Sequence, residues 1–119
     1  MRTLTKIFKA LSDSNRLRIL AILKIRPLCV CEITDVLQLA NSTVSKHLSI
    51  LRDIDLIIDK KQGKWVYYSL NTDSGKEINQ EIMDVLNLAF HENEQVAKDA
   101  EKINQIDRFT LCKIDTNTD

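Results

Sequence analysis

Glycine and proline are scarce in this chain, which has only two glycines and one proline among 119 residues. These two residue types interrupt regular structure most strongly, because glycine adopts unusual backbone angles and proline cannot donate a backbone hydrogen bond. Their scarcity predicts long regular segments, mostly helices, joined by short connections. A chain of this length supports one hydrophobic core. We therefore expect one domain over residues 1–106 and a partly disordered tail over residues 107–119.

Apolar side chains at helical spacing predict four helices in the first half of the chain. Serine and aspartate provide good N-caps, and Pro27 ends the second helix. The four helices are expected over residues 3–11, from a cap at Ser12 or Asp13 to about Lys24, from Cys29 to Leu37, and from a cap at Asn41 onward.

The third and fourth predicted helices are joined by a short turn, which is the arrangement of a helix-turn-helix. In that motif, the first residues of the second helix reach DNA base edges. Hydroxyl, amide, ammonium and imidazole groups can all bond to base edges or phosphates. The candidate DNA-binding residues of this helix are Asn41, Ser42, Thr43, Ser45, Lys46 and His47.

Two segments rich in β-branched and aromatic residues, 56–59 and 65–70, follow the fourth helix. Gly63 lies between them and supplies the backbone freedom of a hairpin turn. Lys60, Lys61 and Lys64 would then project toward a phosphate backbone. The predicted fold class is therefore mainly α with a two-stranded β-hairpin wing, a winged helix-turn-helix.

Lysine and arginine are concentrated in the first 70 residues, where twelve of them accompany six Asp and Glu. Residues 71–119 carry five Lys and Arg against eleven Asp and Glu. Such asymmetry is typical of proteins that contact nucleic acid with one part only, because cationic side chains displace counterions from phosphates. The basic part contains the predicted helix-turn-helix and hairpin.

The composition also bears on where the chain resides. No apolar run approaches the ~20 residues needed to span a bilayer, and no secretion signal is evident at the N-terminus. Three cysteines are an odd number, which fits a reducing compartment better than a disulfide scaffold. We therefore expect a cytoplasmic protein with no membrane partner.

Cys29 and Cys31 form a pair of soft ligands suited to thiophilic ions. Residues two apart on a regular helix point about 200° from each other. If both cysteines lie in the third helix, an ion can bind both only after the first turn unwinds. Because that helix is expected to pack against the fourth, the distortion would displace the DNA-binding residues.

Residues 73–106 carry apolar side chains at helical spacings, which predicts one long helix or one with a break. This stripe is too long for one small core to cover. We expect the excess, together with the first helix, to be buried against a second copy in a two-fold dimer. Its recognition helices would meet half-sites about 34 Å apart. The stripe consists of Ile78, Ile82, Val85, Ala89, Val96, Ala100 and Ile103.

Several short motifs match one known family in sequence and in their order along the chain: Leu28-Cys-Val-Cys-Glu32, Val44-Ser-Lys-His-Leu48, Leu51-Arg52 and Lys61-Gln-Gly-Lys-Trp-Val66. They resemble the ArsR/SmtB family of winged-helix metalloregulators, in particular its arsenite-responsive repressors, and the resemblance extends over about residues 4–90. It implies a homodimer that occupies operator DNA, represses arsenic-resistance genes, and leaves the DNA when As(III) or Sb(III) binds Cys29 and Cys31.

The chain departs from that pattern at Thr34, where the arsenite-responsive relatives usually have a third cysteine. Trivalent arsenic prefers three sulfur ligands. Cys112, from the same or the partner subunit, is one candidate for the third ligand, and an external thiol or water is another.

The same residues bear on other functions. An enzyme is not favoured, since Cys29 and Cys31 lack redox-active Cys-x-x-Cys spacing and Ser45 and His47 would diverge on a helix. Three alternatives stay open: a regulator of another thiophilic metal, a thiol-redox regulator, or a constitutive DNA-binding protein.

Overall fold

The computed structural model describes residues 1–106, so the predicted disordered tail and Cys112 lie outside the described residues. No helix within this range is long and apolar enough to cross a membrane. The elements are α1 (Arg2–Leu11), α2 (Ser14–Leu23), α3 (Val30–Leu37), α4 (Asn41–Asp53), β1 (Ile57–Gln62), β2 (Trp65–Leu70), α5 (Glu77–Phe90) and α6 (Glu94–Gln105).

The starts of the helices follow local hydrogen bonding. The Asp13 carboxylate accepts from the backbone N–H groups of Asn15 and Arg16, which confirms it as the N-cap of α2. Two predicted starts were wrong by one residue. Cys29 is the N-cap of α3 rather than its first residue, and Ala40, not Asn41, is the N-cap of α4.

The core lies where α2, α3 and α4 meet. Helix α2 contributes five consecutive buried residues, from Ile19 to Leu23, because neighbouring elements cover it on several sides. Helix α4 places Val44, Leu48 and Leu51 inward, as their spacing predicted. This packing of α3 against α4 forms the helix-turn-helix.

Strands β1 and β2 form the predicted antiparallel hairpin, with Ile57 opposite Leu70 and Gln62 opposite Trp65. Gly63, in the turn, has a φ of 61°, a conformation that glycine adopts without strain. A short bridge extends this sheet: the Leu28 N–H donates to the Tyr68 carbonyl (3.0 Å), and the Tyr68 N–H donates to Leu28 (2.7 Å).

The long C-terminal helix is broken after Phe90, where Glu92 takes a φ of 69°. Helix α6 then packs on α2 and α3 of its own chain, so Ile103 is buried there and is not available to a partner copy. That part of the predicted stripe therefore covers the chain's own core, and only the remaining part is left for the expected partner copy. Helix α5 differs from α6, because Asn79 is the only buried residue among its fourteen.

Candidate DNA-binding surface and cysteine pair

The first turns of α4 present polar side chains to solvent. Val44, Leu48 and Leu51 anchor the opposite side of the helix in the core, which fixes the orientation of the exposed side. The structure exposes five of the six predicted DNA-binding residues of this helix: Asn41, Ser42, Thr43, Ser45 and Lys46.

His47, the sixth, is half-buried. Its Nδ1 lies 3.0 Å from an Arg16 guanidinium nitrogen, and Arg16 also donates to the Ala10 carbonyl at 2.6 Å. Because arginine only donates, Nδ1 is the acceptor in this contact. Arg16 was not predictable as a partner of His47, since it lies 31 residues away along the chain.

The hairpin presents three lysines, and Lys60, Lys61 and Lys64 are all exposed. None of them forms an ion pair within residues 1–106. Tyr68 packs against the core, and burial, reinforced by the charge of Asp59, raises the pKa of its hydroxyl. The hairpin thus has a packed base and a cationic tip.

The sulfur atoms of Cys29 and Cys31 lie 2.7 Å apart, farther than the ~2.05 Å of a disulfide bond between them. Cys29 has φ −91° and ψ 167°, an extended conformation outside the helix. The expected divergence of about 200° applies only to two helical residues and was wrong here. The cysteine pair, meaning Cys29 and Cys31, already converges without unwinding of α3.

Glu32 contacts Cys29 and is itself paired with Arg26, and neither residue was among the predicted site residues. Glu32 is fully buried, and its Oε1 accepts from the Cys29 backbone N–H (3.1 Å) and from the Cys29 sulfur (3.4 Å). Its Oε2 pairs with the Arg26 guanidinium at 2.8 Å. A glutamate three residues after an N-cap is the sequence signal of a capping box, but cysteine is not a usual N-cap residue.

Two sulfurs in contact fit a soft ion, and the search for a third ligand is limited to the described part of the chain. Within residues 1–106, no three His, Cys, Asp or Glu side chains are placed to hold a metal ion. The Thr34 hydroxyl donates to the Cys31 carbonyl at 2.9 Å. Cys112 lies outside the described residues.

The cysteine pair lies between the hairpin and the helix-turn-helix, the two elements that carry the candidate DNA-binding residues. Cys29 directly follows Leu28, whose backbone is hydrogen-bonded to Tyr68 of β2. Cys31 is in α3, which packs against α4. A conformational change at the cysteine pair can therefore reach the hairpin through Leu28 and the helix-turn-helix through α3.

Comparison with known proteins relates this fold to one family. The family model described as "Bacterial regulatory protein, arsR family" matches residues 13–59, which include the cysteine pair and α4. A homodimeric winged helix-turn-helix DNA-binding domain from Mycobacterium bovis has a similar structure, with a TM-score of 0.64 and 22% identity over 78% of this chain and 82% of that one. At this identity the likeness concerns the fold.

Curated relatives extend the match along the chain. The arsenical resistance operon repressor of Escherichia coli is 42% identical over 56% of this chain and 57% of its own length. Three of the curated relatives, one of them a cadmium resistance transcriptional regulatory protein homolog of Staphylococcus aureus, are matched over only 52 to 61% of their own length. An arsenic resistance transcriptional regulator of Pseudomonas putida is 35% identical over 94% of this chain and 99% of its own. The chain belongs to the ArsR family, whose members are transcriptional regulators and not enzymes.

Proposed function

We propose that this chain is an arsenic(III)-responsive transcriptional repressor that binds operator DNA as a homodimer and leaves it when As(III) or Sb(III) binds Cys29 and Cys31. The observation that carries the proposal is the 2.7 Å contact between the two sulfurs at the start of α3, beside the helix-turn-helix. Relatives named for arsenic resistance support the choice of ion.

In this proposal, the exposed side of α4 and the tip of the hairpin contact different parts of the DNA. Asn41, Ser42, Thr43, Ser45, Lys46 and His47 on α4 read base edges in the major groove. Lys60, Lys61 and Lys64 on the hairpin contact phosphates. Exposure of the lysines and the absence of ion pairs to them within the described chain support this assignment.

Dimerisation in this proposal uses α1 and α5. Large apolar side chains on both helices are exposed, and α5 has a single buried residue within its own chain. Exposed apolar surface of this kind marks an interface. The exposed residues are Leu4, Phe8, Ile78, Val85 and Leu88.

Cys112 is the proposed third sulfur ligand. It follows Ile106, the last described residue, by six positions, and six residues span at most about 20 Å. The end of α6 is held close to α3, because the Lys102 ammonium donates to the Asp35 carbonyl at 2.8 Å. Cys112 of the same chain is therefore within reach of α3, and an external thiol or water is the alternative ligand.

Release follows if an ion changes the conformation of the cysteine pair. An ion bound to both sulfurs increases their separation from 2.7 Å, which moves Cys31 and the first turn of α3 relative to Leu28 and Cys29. Leu28 would transmit this movement to the hairpin, and α3 would transmit it to α4. A coupling free energy of ~1–3 kcal/mol is sufficient to change operator occupancy.

Fluorescence anisotropy of labelled promoter DNA tests the proposal. Reduced protein is bound to the DNA and titrated with arsenite, in the natural form, as the double variant Cys29→Ser/Cys31→Ser, and as Cys112→Ser. We expect arsenite to release the natural protein and not the double variant. Release of Cys112→Ser would remove Cys112 as a required ligand.

Two results would contradict the proposal. Release of the double variant would exclude the cysteine pair as the sensor. DNA binding by the natural protein that ignores arsenite would favour another inducer or a constitutive DNA-binding protein, and repeating the titration with Cd²⁺ and with a thiol oxidant would separate these alternatives.

A further inference from the structure

We infer that Glu32, held in place by Arg26, is a positioning residue for soft-ion binding by Cys29. The inference rests on the proposed function, because it assigns the role of two residues around the same cysteine pair. Neither residue is a proposed ligand of the ion. Their role is to hold Cys29 in the one conformation that brings its sulfur to Cys31.

The backbone conformation of Cys29 determines where its sulfur lies. A helical conformation there would point its side chain away from Cys31 by about 200°. The extended conformation instead brings the sulfurs together, and the Glu32 Oε1 stabilises it by accepting from the Cys29 backbone N–H at 3.1 Å. The same oxygen lies 3.4 Å from the Cys29 sulfur. One carboxylate oxygen therefore orients both the backbone and the side chain.

The burial of Glu32 requires a charged partner for its carboxylate. Its side chain is fully buried, and a buried carboxylate is strongly disfavoured unless it is paired. Arg26 supplies the partner, with its guanidinium 2.8 Å from Oε2 while a third of its side chain stays exposed. Arg26 lies in the connection between α2 and α3, so the ion pair ties that connection to the first turn of α3.

The two carboxylate oxygens of Glu32 contact different residues. Oε1 faces Cys29, whereas Oε2 faces Arg26. Loss of Arg26 therefore does not remove any contact to Cys29 directly, but it frees the carboxylate that makes those contacts. Groups that orient metal ligands in this way typically contribute 10- to 100-fold to metal affinity.

The test is arsenite binding to reduced, DNA-free protein, measured by calorimetry and repeated with Cd²⁺. The variants are Glu32→Gln, Arg26→Ala and their double combination. Glu32→Gln keeps the size of the side chain and one acceptor oxygen, so it is chosen to preserve the fold. The matched control is Arg52→Ala, which removes an arginine from an ion pair of similar length, 2.9 Å to Asp59, away from the cysteines.

We expect each single variant to weaken arsenite binding about 10-fold or more, whereas Arg52→Ala leaves it unchanged. The double variant should be no weaker than the weaker single one, since both changes disable the same contact. Operator affinity without arsenite should stay within about twofold, and Arg26→Lys, which keeps the charge, should recover part of the lost arsenite affinity.

Multiplicative losses in the double variant would overturn the inference, because Arg26 and Glu32 would then act independently. Equal losses of arsenite affinity and of operator affinity would also overturn it, since that is the result of general damage to the fold. The proposed function fails differently: natural protein that binds arsenite tightly but stays on DNA contradicts the repressor mechanism while the variants still decide the role of Glu32. Natural protein that binds neither arsenite nor Cd²⁺ contradicts both.

Discussion

The lysines of the hairpin differ from two arginines near the helix-turn-helix in solvent exposure and in ion pairing. Lys60, Lys61 and Lys64 are exposed and form no ion pair within residues 1–106. Arg18 and Arg26 instead pair with buried carboxylates at 2.8 Å. Charge at the hairpin is therefore available to an external phosphate, whereas the arginines hold helices and the cysteine pair together. These environments fit the proposed binding role of the hairpin lysines and an architectural role of the two arginines.

The largest expected effect is on DNA affinity. Replacing Lys60, Lys61 and Lys64 with alanine removes up to three phosphate contacts, each of which contributes about 0.9 to the slope of log affinity against log salt. We expect affinity at ~0.1 M salt to fall by roughly 500-fold and the slope to decrease by about 3. Anisotropy at several salt concentrations measures both.

Ser45→Ala is the comparison for that experiment. Ser45 is exposed on α4 and is proposed to contact a base edge, so its loss should reduce the preference for operator over unrelated DNA while the salt slope stays unchanged. If the lysine variant changed sequence preference and Ser45→Ala did not, the division between base reading and phosphate contact would be wrong.

Loss of a buried ion pair gives the next largest effect, on folding stability. Arg18 forms two hydrogen bonds to Asp99, at 2.8 and 3.0 Å, which raise the pKa of Arg18. In Arg18→Ala the Asp99 carboxylate stays buried with only Gln95 donating to it. We expect the free energy of unfolding in urea to fall by about 3 kcal/mol. A loss below ~1 kcal/mol would show that this pair behaves like a surface pair.

The cap of α2 should have a smaller, pH-dependent effect. Burial raises the pKa of Asp13, but hydrogen bonds from the Arg16 and Asn15 backbone N–H groups outweigh it, so the pKa lies below its ordinary 3.8. The resulting stability is complete above about pH 4 and is lost as the pH falls through the folded-state pKa. Asp13→Ala should cost about 1 kcal/mol at neutral pH.

Asp13→Asn serves as its control, because asparagine caps as well as aspartate but does not titrate. Urea unfolding between pH 2.5 and 7 should therefore show a weaker acid-induced loss of stability in Asp13→Asn than in the natural protein. Parallel curves for the two proteins would mean that Asp13 does not contribute to acid sensitivity.

The smallest effect is expected from the exposed pair between Arg52 and Asp59, whose side chains are 47% and 38% exposed. Asp59→Ala should change the free energy of unfolding by less than ~1 kcal/mol, since solvent and salt screen such pairs. Urea unfolding at low and high salt measures it. A loss as large as that of Arg18→Ala would remove the distinction between buried and exposed cations.

Much of the helix-turn-helix and hairpin was predictable from sequence, because local rules determine these elements. The spacing of Val44, Leu48 and Leu51 fixed the buried side of α4, and Gly63 marked the turn. The exposed positions of Ser45 and Lys46 followed directly. Resemblance to the ArsR/SmtB family added the functional expectation, which the family match then confirmed at the level of the family.

The remaining features depend on contacts that spacing does not encode. The pairs Arg16–His47 and Arg18–Asp99 join residues 31 and 81 positions apart. The packing of α6 on α2 depends on the break between α5 and α6 at Glu92. No glycine or proline lies there to predict a helix break. The two cysteine sulfurs converge because Cys29 is the N-cap and α3 begins one residue later than predicted. The spacing of apolar residues does not determine the start of a helix to within one residue.

The most direct test of the account is thermodynamic reciprocity between the cysteine pair and DNA. Arsenite affinity is measured by calorimetry for the reduced protein alone and for the protein saturated with promoter DNA. The account predicts that DNA weakens arsenite binding by the same factor by which arsenite weakens DNA binding, roughly 5- to 150-fold. Equal arsenite affinities in the two states would contradict the claim that ion binding at Cys29 and Cys31 drives release from DNA.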